Sequence, residues 1–287
     1  MAAVTVGDGP PIAVTGLRPQ SMLLTLFGDY ASDEGQLVSS AGVIDVLTSA
    51  GVGAHATRAT LSRMTARGLL HRVAAGRSAY FGVTEFGRRT VLQGRERAQG
   101  ADVVDRRWKG GWTFVGFSLP DDSARERHDL RSRLVWAGFG LVQPGLWAAP
   151  REVDVVALLD DLSVLPYVTT FHGEPTGPTS AQQLVASAFD LETIAERYRG
   201  FHDRWSPATE AVAAGGSEPL VTRLVLNGDW LVVLRDDPRL PVSLLPEDWP
   251  AIAARDLHRT LEAALRRPAE REARHRLGLT TADESAG

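Results

Sequence analysis

The side chains best suited to chemistry crowd into one stretch, residues 52–86, VGAHATRATLSRMTARGLLHRVAAGRSAYFGVTEF. On a helical wheel Thr57, Leu61, Met64 and Gly68 share a stripe at i, i+4, i+7 and i+11, the spacing of a face packed on a core. His55, Ala56, Ala59, Ser62 and Arg63 turn away from it, with Arg58 on the flank. Small residues let such a face approach a partner closely, while arginine and serine hydrogen-bond base edges and phosphate oxygens. Arg63 is suited to a guanine edge and Ala59 to a thymine methyl, and His55, Arg58 and Ser62 to phosphates. Gly68 closes the helix, as glycine does where a left-handed backbone is needed. Leu69–Val73 and Ser78–Val83 read as two short strands around a turn that carries Arg77 at its tip, within reach of a flanking minor groove. Helix plus hairpin is the second half of a winged helix-turn-helix, and its chemistry is that of duplex DNA binding.

Charge agrees. Between Val52 and Ala98 nine arginines face only Glu85 and Glu96, a local formal charge of +7, whereas the whole chain carries −4. A cationic module on an acidic body is the electrostatic footprint of a phosphate-binding protein.

Other constellations are weaker. Asp121 and Asp122 follow a strand and are candidates for a divalent cation in a metal-dependent nuclease, but Pro120-Asp121-Asp122-Ser123 is also an ordinary turn and helix cap, the preferred reading. His128-Asp129 lies on a charged helix face, and Phe171-His172-Gly173-Glu174 has no nucleophile motif beside it. G-x-S-x-G, the Walker loop and G-x-G-x-x-G are absent, and the seven histidines lack zinc-site spacing, so no catalytic residues, no metal and no enzyme activity are expected. Zero cysteines exclude disulfides and thiolate sites.

The elements that position these residues come next. A length of 287 residues predicts two or three domains, and 44% hydrophobic with 23% charged residues suits a soluble globular protein. No apolar run is long enough for a membrane span, and no secretory signal is evident, so a cytoplasmic location is expected. Lys109 is the sole lysine, which fits a GC-rich genome. Residues 1–18 read as a flexible arm. A winged helix over 19–99 follows, with helices Gln20–Tyr30 and Ala41–Ser49, the recognition helix, the hairpin, and a basic helix from Thr84 to Ala98. Asp29 reads as a local cap. Residues 100–111 read as a hinge carrying Arg106, Arg107 and Lys109. Strands Trp112–Leu119, Phe139–Gln143, Leu146–Ala149 and Tyr167–His172, with helices Ser123–Ala137 and Val153–Leu165, give the βαββαβ order of a ferredoxin-like domain over 112–175. Residues 176–287 read as a helical domain: Ala181–Tyr198, a stretch near Phe201–Ala214, Pro219–Asp236, then Trp249–Leu265 before a fraying tail. The fold class is α+β.

SMLLTLFGDY (21–30), RATLSRMTARGLL (58–70), GRSAYFGVTEFG (76–87), GFGLVQPGLWAAP (138–150) and DDPRLPVSLLPEDWP (236–250) together resemble the PaaX family of bacterial transcriptional repressors, in family order along almost the whole chain. The resemblance implies a winged helix, a middle domain similar to that of a CRISPR-associated nuclease, and a helical C-terminal domain. It implies a homodimer on a palindromic operator, repressing a catabolic operon and released by an aryl-acyl-CoA such as phenylacetyl-CoA. Carried onto this chain, it places Arg58, Thr60, Ser62 and Arg63 in the major groove and Arg77 at the wing; Thr57, Arg72 and Ser78 complete the candidate DNA contacts. For the acyl-CoA, Trp112, Trp136, Phe139 and Trp147 are aromatic candidates and Arg106, Arg107 and Lys109 cationic ones, although such aromatics more often serve as core. An effector-independent DNA-binding protein is the remaining alternative.

Overall fold

In the computed structural model, residues 2–7, 11–76, 78–99, 102–215, 218–235 and 237–281 are described. Within the span expected as a flexible arm, 1–18, the described residues instead include a small antiparallel pair. Strands β1 (Ala2–Val4) and β2 (Ile12–Val14) set Ala2 opposite Val14 and Val4 opposite Ile12. Ala2, Val4, Val6 and Val14 are buried. Their period-two apolar pattern outweighs the glycines and prolines between the strands.

The chain divides into two compact units, Met1–Ala101 with Gly200–Leu234 and Ala253–Gly287, and Asp102–Arg199 with Arg235–Ile252. The helical domain expected over 176–287 is therefore shared out: Leu184 and Val185 pack on the sheet of the second unit, while residues 219–234 and 253–276 belong to the first.

In the first unit, Pro19 opens helix α1 (Pro19–Tyr30), where its missing N–H costs nothing, and Met22, Leu23, Leu26 and Phe27 form the buried face. Strand β3 (Gln36–Ser39), not foreseen in the sequence, leads into α2 (Ser40–Ser49), whose Gly42 N–H donates to the capping Ser39 Oγ at 3.0 Å. Helix α3 (Ala54–Ala66) is followed by Gly68 at φ +70° and then by the hairpin β4 (Leu70–Ala75) and β5 (Ser78–Val83), paired from Leu70↔Val83 to Ala75↔Ser78. β3 joins β5, and α4 (Glu85–Gln99) closes the segment.

Distant chain completes this unit. After the short helix α9 (Thr209–Ala213), helix α10 (Pro219–Leu234) is buried nearly all round, and α11 (Ala251–Arg276) continues through Pro268, well past the expected end at Leu265. Ala269, Ala273 and Leu277 are buried, so tertiary packing holds residues that look like a fraying tail by charge alone. Strand β10 (Thr280–Thr281) then pairs with β3, giving the order β10-β3-β5-β4. A Cβ on Gly42 would lie 2.2 Å from the Arg276 carbonyl oxygen, so only glycine lets α2 cross the chain there.

A buried polar cluster ties these pieces together. The Arg223 guanidinium donates to both Glu262 oxygens at 2.9 Å, to the Tyr30 hydroxyl at 2.7 Å, and lies 3.2 Å from an Asp29 oxygen. Asp29 thus bonds across to α10 rather than capping its own helix. It also accepts from the Asn227 amide at 3.1 Å, and His258 Nε2 lies 3.1 Å from Asn227 Oδ1. Burial pushes the Asp29 carboxyl up, against the pull of Arg223, and pushes His258 down to about 4. His258 is therefore neutral, stacked on Trp230 with ring centroids 4.8 Å apart.

In the second unit, β6 (Trp112–Phe117), α5 (Ala124–Trp136), β7 (Gly140–Gln143), β8 (Leu146–Ala149), the short α6 (Val155–Leu159) and β9 (Val168–Gly173) follow in order. The sheet is antiparallel throughout, in the order β7-β8-β6-β9. One face carries Val115, Leu130, Leu134, Phe139, Trp147 and Leu159. The other packs Trp112 and Ala148 against Leu184, Val185, Leu240 and Leu244. The helix expected as Ala181–Tyr198 breaks into α7 (Ala181–Ala188) and α8 (Leu191–Trp205), with the Thr193 N–H donating to Asp190 Oδ1 at 3.0 Å. The hinge expected at 100–111 begins on residues outside those described. From Asp102 onward it belongs to the second unit: Val103 and Val104 are buried, and Asp105 exchanges backbone bonds with Leu240 and Val242 at 3.0 and 2.9 Å. Among the described residues no helix is long and apolar enough to cross a membrane.

Two outcomes follow from the buried cluster. Arg223→Met strands two buried carboxylates, and urea unfolding should show a loss of about 3–5 kcal/mol. His258, depressed from 6.5 to about 4 in the folded state, binds its proton more readily when unfolded, so it withdraws stability as pH falls from about 6.5 to 4. The raised Asp29 acts in the opposite sense; the test is therefore the difference between wild type and His258→Gln, whose unfolding midpoint should fall less between pH 7 and pH 5.

Candidate nucleic-acid interface

Helix α3 owes its position to a buried face made of Thr57, Thr60, Leu61 and Met64, packed on α1 and α2. The opposite face is open. His55, Ala56, Arg58, Ser62, Arg63, Ala66 and Arg67 are exposed and Ala59 is half-buried between them. Apart from the arginines and His55, none of these residues is larger than serine, so the guanidinium groups stand clear of their neighbours on that face. The hairpin adds exposed Arg72, opposite Phe81 in the ladder, and exposed Ser78, opposite Ala75. Arg77 lies outside the described residues.

Two of the expected contacts do not fit. Thr57 and Thr60 are buried, at 0% and 2% exposure, with their hydroxyls donating to the Gly53 and Ala56 carbonyls at 3.3 and 2.7 Å. Their β-branched side chains fill the core side of the helix. Thr60 still bears on the interface indirectly, because the Arg63 guanidinium donates to its Oγ1 at 2.8 Å and is thereby oriented. Arg67, not assigned a role in the sequence, extends the same exposed face, 3.5 Å from Gln20 Oε1. Its signal was present: i+4 from Arg63 is one turn further along one face.

The electrostatics are one-sided. No aspartate or glutamate occurs between Asp45 and Glu85, while Arg58, Arg63, Arg67, Arg72 and Arg77 fall in that interval. On α4 the balance differs, since Arg88 is paired with Glu85 at 3.0 Å.

The other candidates are scattered. Trp112 is fully buried, edge-on to Trp108 at 6.3 Å and stacked near Phe114 at 6.1 Å, so it is core rather than a ligand contact. Trp136 is 62% exposed on α5. Arg106, Arg107 and Lys109 are exposed, and Arg106 pairs with Asp102 at 3.5 Å. Phe139 and Trp147, by contrast, line one cavity. Asp121 and Asp122 are exposed in the turn before α5, where the Ser123 N–H donates to the Pro120 carbonyl at 3.1 Å. His172 Nδ1 lies 3.1 Å from Thr113 Oγ1, which itself donates to the Arg151 carbonyl. That arrangement ties β9 to β6, with the Thr113 hydroxyl proton committed to the Arg151 carbonyl.

Fold and site define a mixed helix-and-sheet protein whose helix α3 exposes an arginine-bearing face suited to a polyanion. Comparison with known proteins sharpens this. Residues 18–87 match the family model described as PaaX-like protein, 105–185 the PaaX protein central Cas2-like domain, and 189–275 the PaaX-like protein C-terminal domain. The chain belongs to the PaaX family. It is 26% identical over 247 residues to the transcriptional repressor PaaX of Escherichia coli (strain K12), covering 83% of this chain and 77% of that protein. Its fold is similar to that of the uncharacterized protein Rv0674 from Mycobacterium tuberculosis, at a TM-score of 0.57 and 23% identity, covering 88% of this chain and 96% of that one.

The Thr60–Arg63 bond has a measurable consequence. Thr60→Val keeps the buried shape but removes the acceptor, and gel shifts on the protein's own promoter should show binding weakened about three- to tenfold with stability nearly unchanged.

Proposed function

We propose that the protein is a transcriptional repressor that binds DNA in the cytoplasm through a winged helix-turn-helix formed by α2, α3 and the β4–β5 hairpin. The observation that carries this is the exposed face of α3, with Arg58, Ser62 and Arg63 around Ala59 in a sequence interval that contains no aspartate or glutamate. The name of the Escherichia coli relative supports the same reading. In the major groove Arg63 would read a guanine edge and Ala59 a thymine methyl, while Arg58, His55, Arg72 and Ser78 hold phosphates and Arg77 enters the flanking minor groove. The βαββαβ succession and the sheet order β7-β8-β6-β9 support a ferredoxin-like middle domain. A homodimer on a palindromic operator would set its half-sites about one helical turn apart.

Release requires an effector that favours the DNA-incompetent arrangement, since a ligand of equal affinity for both shifts nothing. An acyl-CoA, phenylacetyl-CoA or another, is the proposed effector in a catabolic operon. A nuclease acting through Asp121 or Asp122 is the alternative, and incubation of promoter DNA with Mg²⁺ or Mn²⁺ separates the two, because a repressor leaves the DNA intact.

Arg63→Ala should cost about 1–3 kcal/mol and relax preference at one base pair, whereas Arg77→Ala should weaken all sequences alike. Gel shifts across single-base operator variants read both. Equal loss on every sequence for Arg63→Ala would sink its base-reading role, and an affinity insensitive to salt would sink the DNA-binding reading itself.

A further inference from the structure

The second unit holds a cavity of about 350 Å³ whose walls combine β7 and β8 with the break between α7 and α8. Phe139, Leu141, Trp147, Phe189 and Ile194 make it apolar, and Asp190, Thr193 and Arg197 supply polar groups. Two features mark it as more than a packing gap. Trp147 is 94% buried by the complement of its 6% exposure, and its indole Nε1 has no hydrogen-bond partner among the described residues. A buried N–H left unpaired is costly, and an occupant with an acceptor oxygen would relieve that cost. Leu141, meanwhile, is 46% exposed on a strand whose neighbours are core, leaving an apolar wall open to an incoming group.

We infer that this cavity is the effector site and that it takes the acyl group of a thioester, an inference that rests on the effector-release reading given above. The volume falls at the low end of small-molecule pockets, so the acyl group and adjoining thioester enter while the phosphorylated nucleotide of a CoA stays outside. Phe139, Phe189 and Ile194 set the shape of the acyl group admitted. Arg197 is the cation of the lining, and Asp190, which accepts from the Thr193 hydroxyl at 2.7 Å, is the acceptor for amide N–H groups of the pantetheine arm. Of the seven candidates read in the sequence, Phe139 and Trp147 belong to this site. Trp112, Trp136, Arg106, Arg107 and Lys109 are not among its walls.

Binding to the full-length protein tests this by calorimetry, with phenylacetyl-CoA, S-phenylacetyl-pantetheine, a medium straight-chain acyl-CoA, CoA alone and free phenylacetate as probes. Leu141→Trp fills the cavity from its exposed wall and should weaken thioester binding by about tenfold or more while affinity for promoter DNA without ligand stays at the wild-type value. Trp147→Phe keeps the ring and removes the N–H, and should weaken thioesters by about fivefold to tenfold. Arg197→Gln should weaken acyl-CoA more than acyl-pantetheine. If Leu141→Trp binds every thioester as wild type does, the site lies elsewhere and the effector reading stands. If wild type binds none of the thioesters, or binds CoA alone equally well, the acyl-effector reading falls and this inference with it.

Discussion

A single guanidinium, that of Arg223, sits buried between carboxylates from two other helices, and the first unit is arranged around it. Charge cannot be taken out of water cheaply, so Arg223 is tolerated on α10 only because Asp29 of α1 and Glu262 of α11 meet it. Each partner carboxylate in turn depends on the guanidinium, and burial works against both. The cluster therefore specifies which helices come together more than it adds net stability. Asn227, His258 and Trp230 extend the specification along α10, while Trp205 and Arg204 close its other side on Asp229, at 2.8 Å from the indole and 3.0 Å from the guanidinium.

A second clasp fixes α2. Arg276, at the end of α11, donates to Asp45 and Ser49, both at 2.8 Å, beside the close crossing at Gly42. The surface carried by α3 rests on α1 and α2, and both of those are held by residues more than 190 positions away in sequence. The geometry of the arginine face is thus a property of the whole first unit. Its charge, in contrast, is written locally: five arginines fall in a sequence interval that contains no carboxylate. A run of guanidinium groups attracts phosphate in general, while base discrimination in general falls to side chains held in a fixed orientation, and Arg63 is so held by Thr60.

Helix α3, its glycine stop and the hairpin were legible in the sequence because each signal is short-range: a 3.6-residue apolar period, a left-handed position, and two short runs on either side of a turn, the second of them aromatic. The strand–helix order of the second unit was legible for the same reason. Where the reading failed, long-range packing had overruled local composition. Residues 2–7 and 11–14 look loose until Val4 and Val14 find a core, and the charged end of α11 looks frayed until Ala269 and Ala273 are buried. Thr57 lies on the apolar stripe of the helical wheel, and its burial follows that stripe rather than a place among the DNA contacts; Thr60 flanks the stripe beside arginines, where the wheel alone does not reveal that it faces inward.

The amino-acid order alone determined the sign and placement of charge, the periodicities that make the helices and strands, and the membership of every motif, because these depend only on neighbours along the chain. Tertiary structure alone decided that the C-terminal helices complete the N-terminal unit, that Asp29 serves Arg223, and that Phe139 and Trp147 share a cavity with Arg197 while Trp112 does not. Those outcomes turn on which buried faces and charges satisfy one another across large sequence separations, and no short-range pattern encodes a partner that far away.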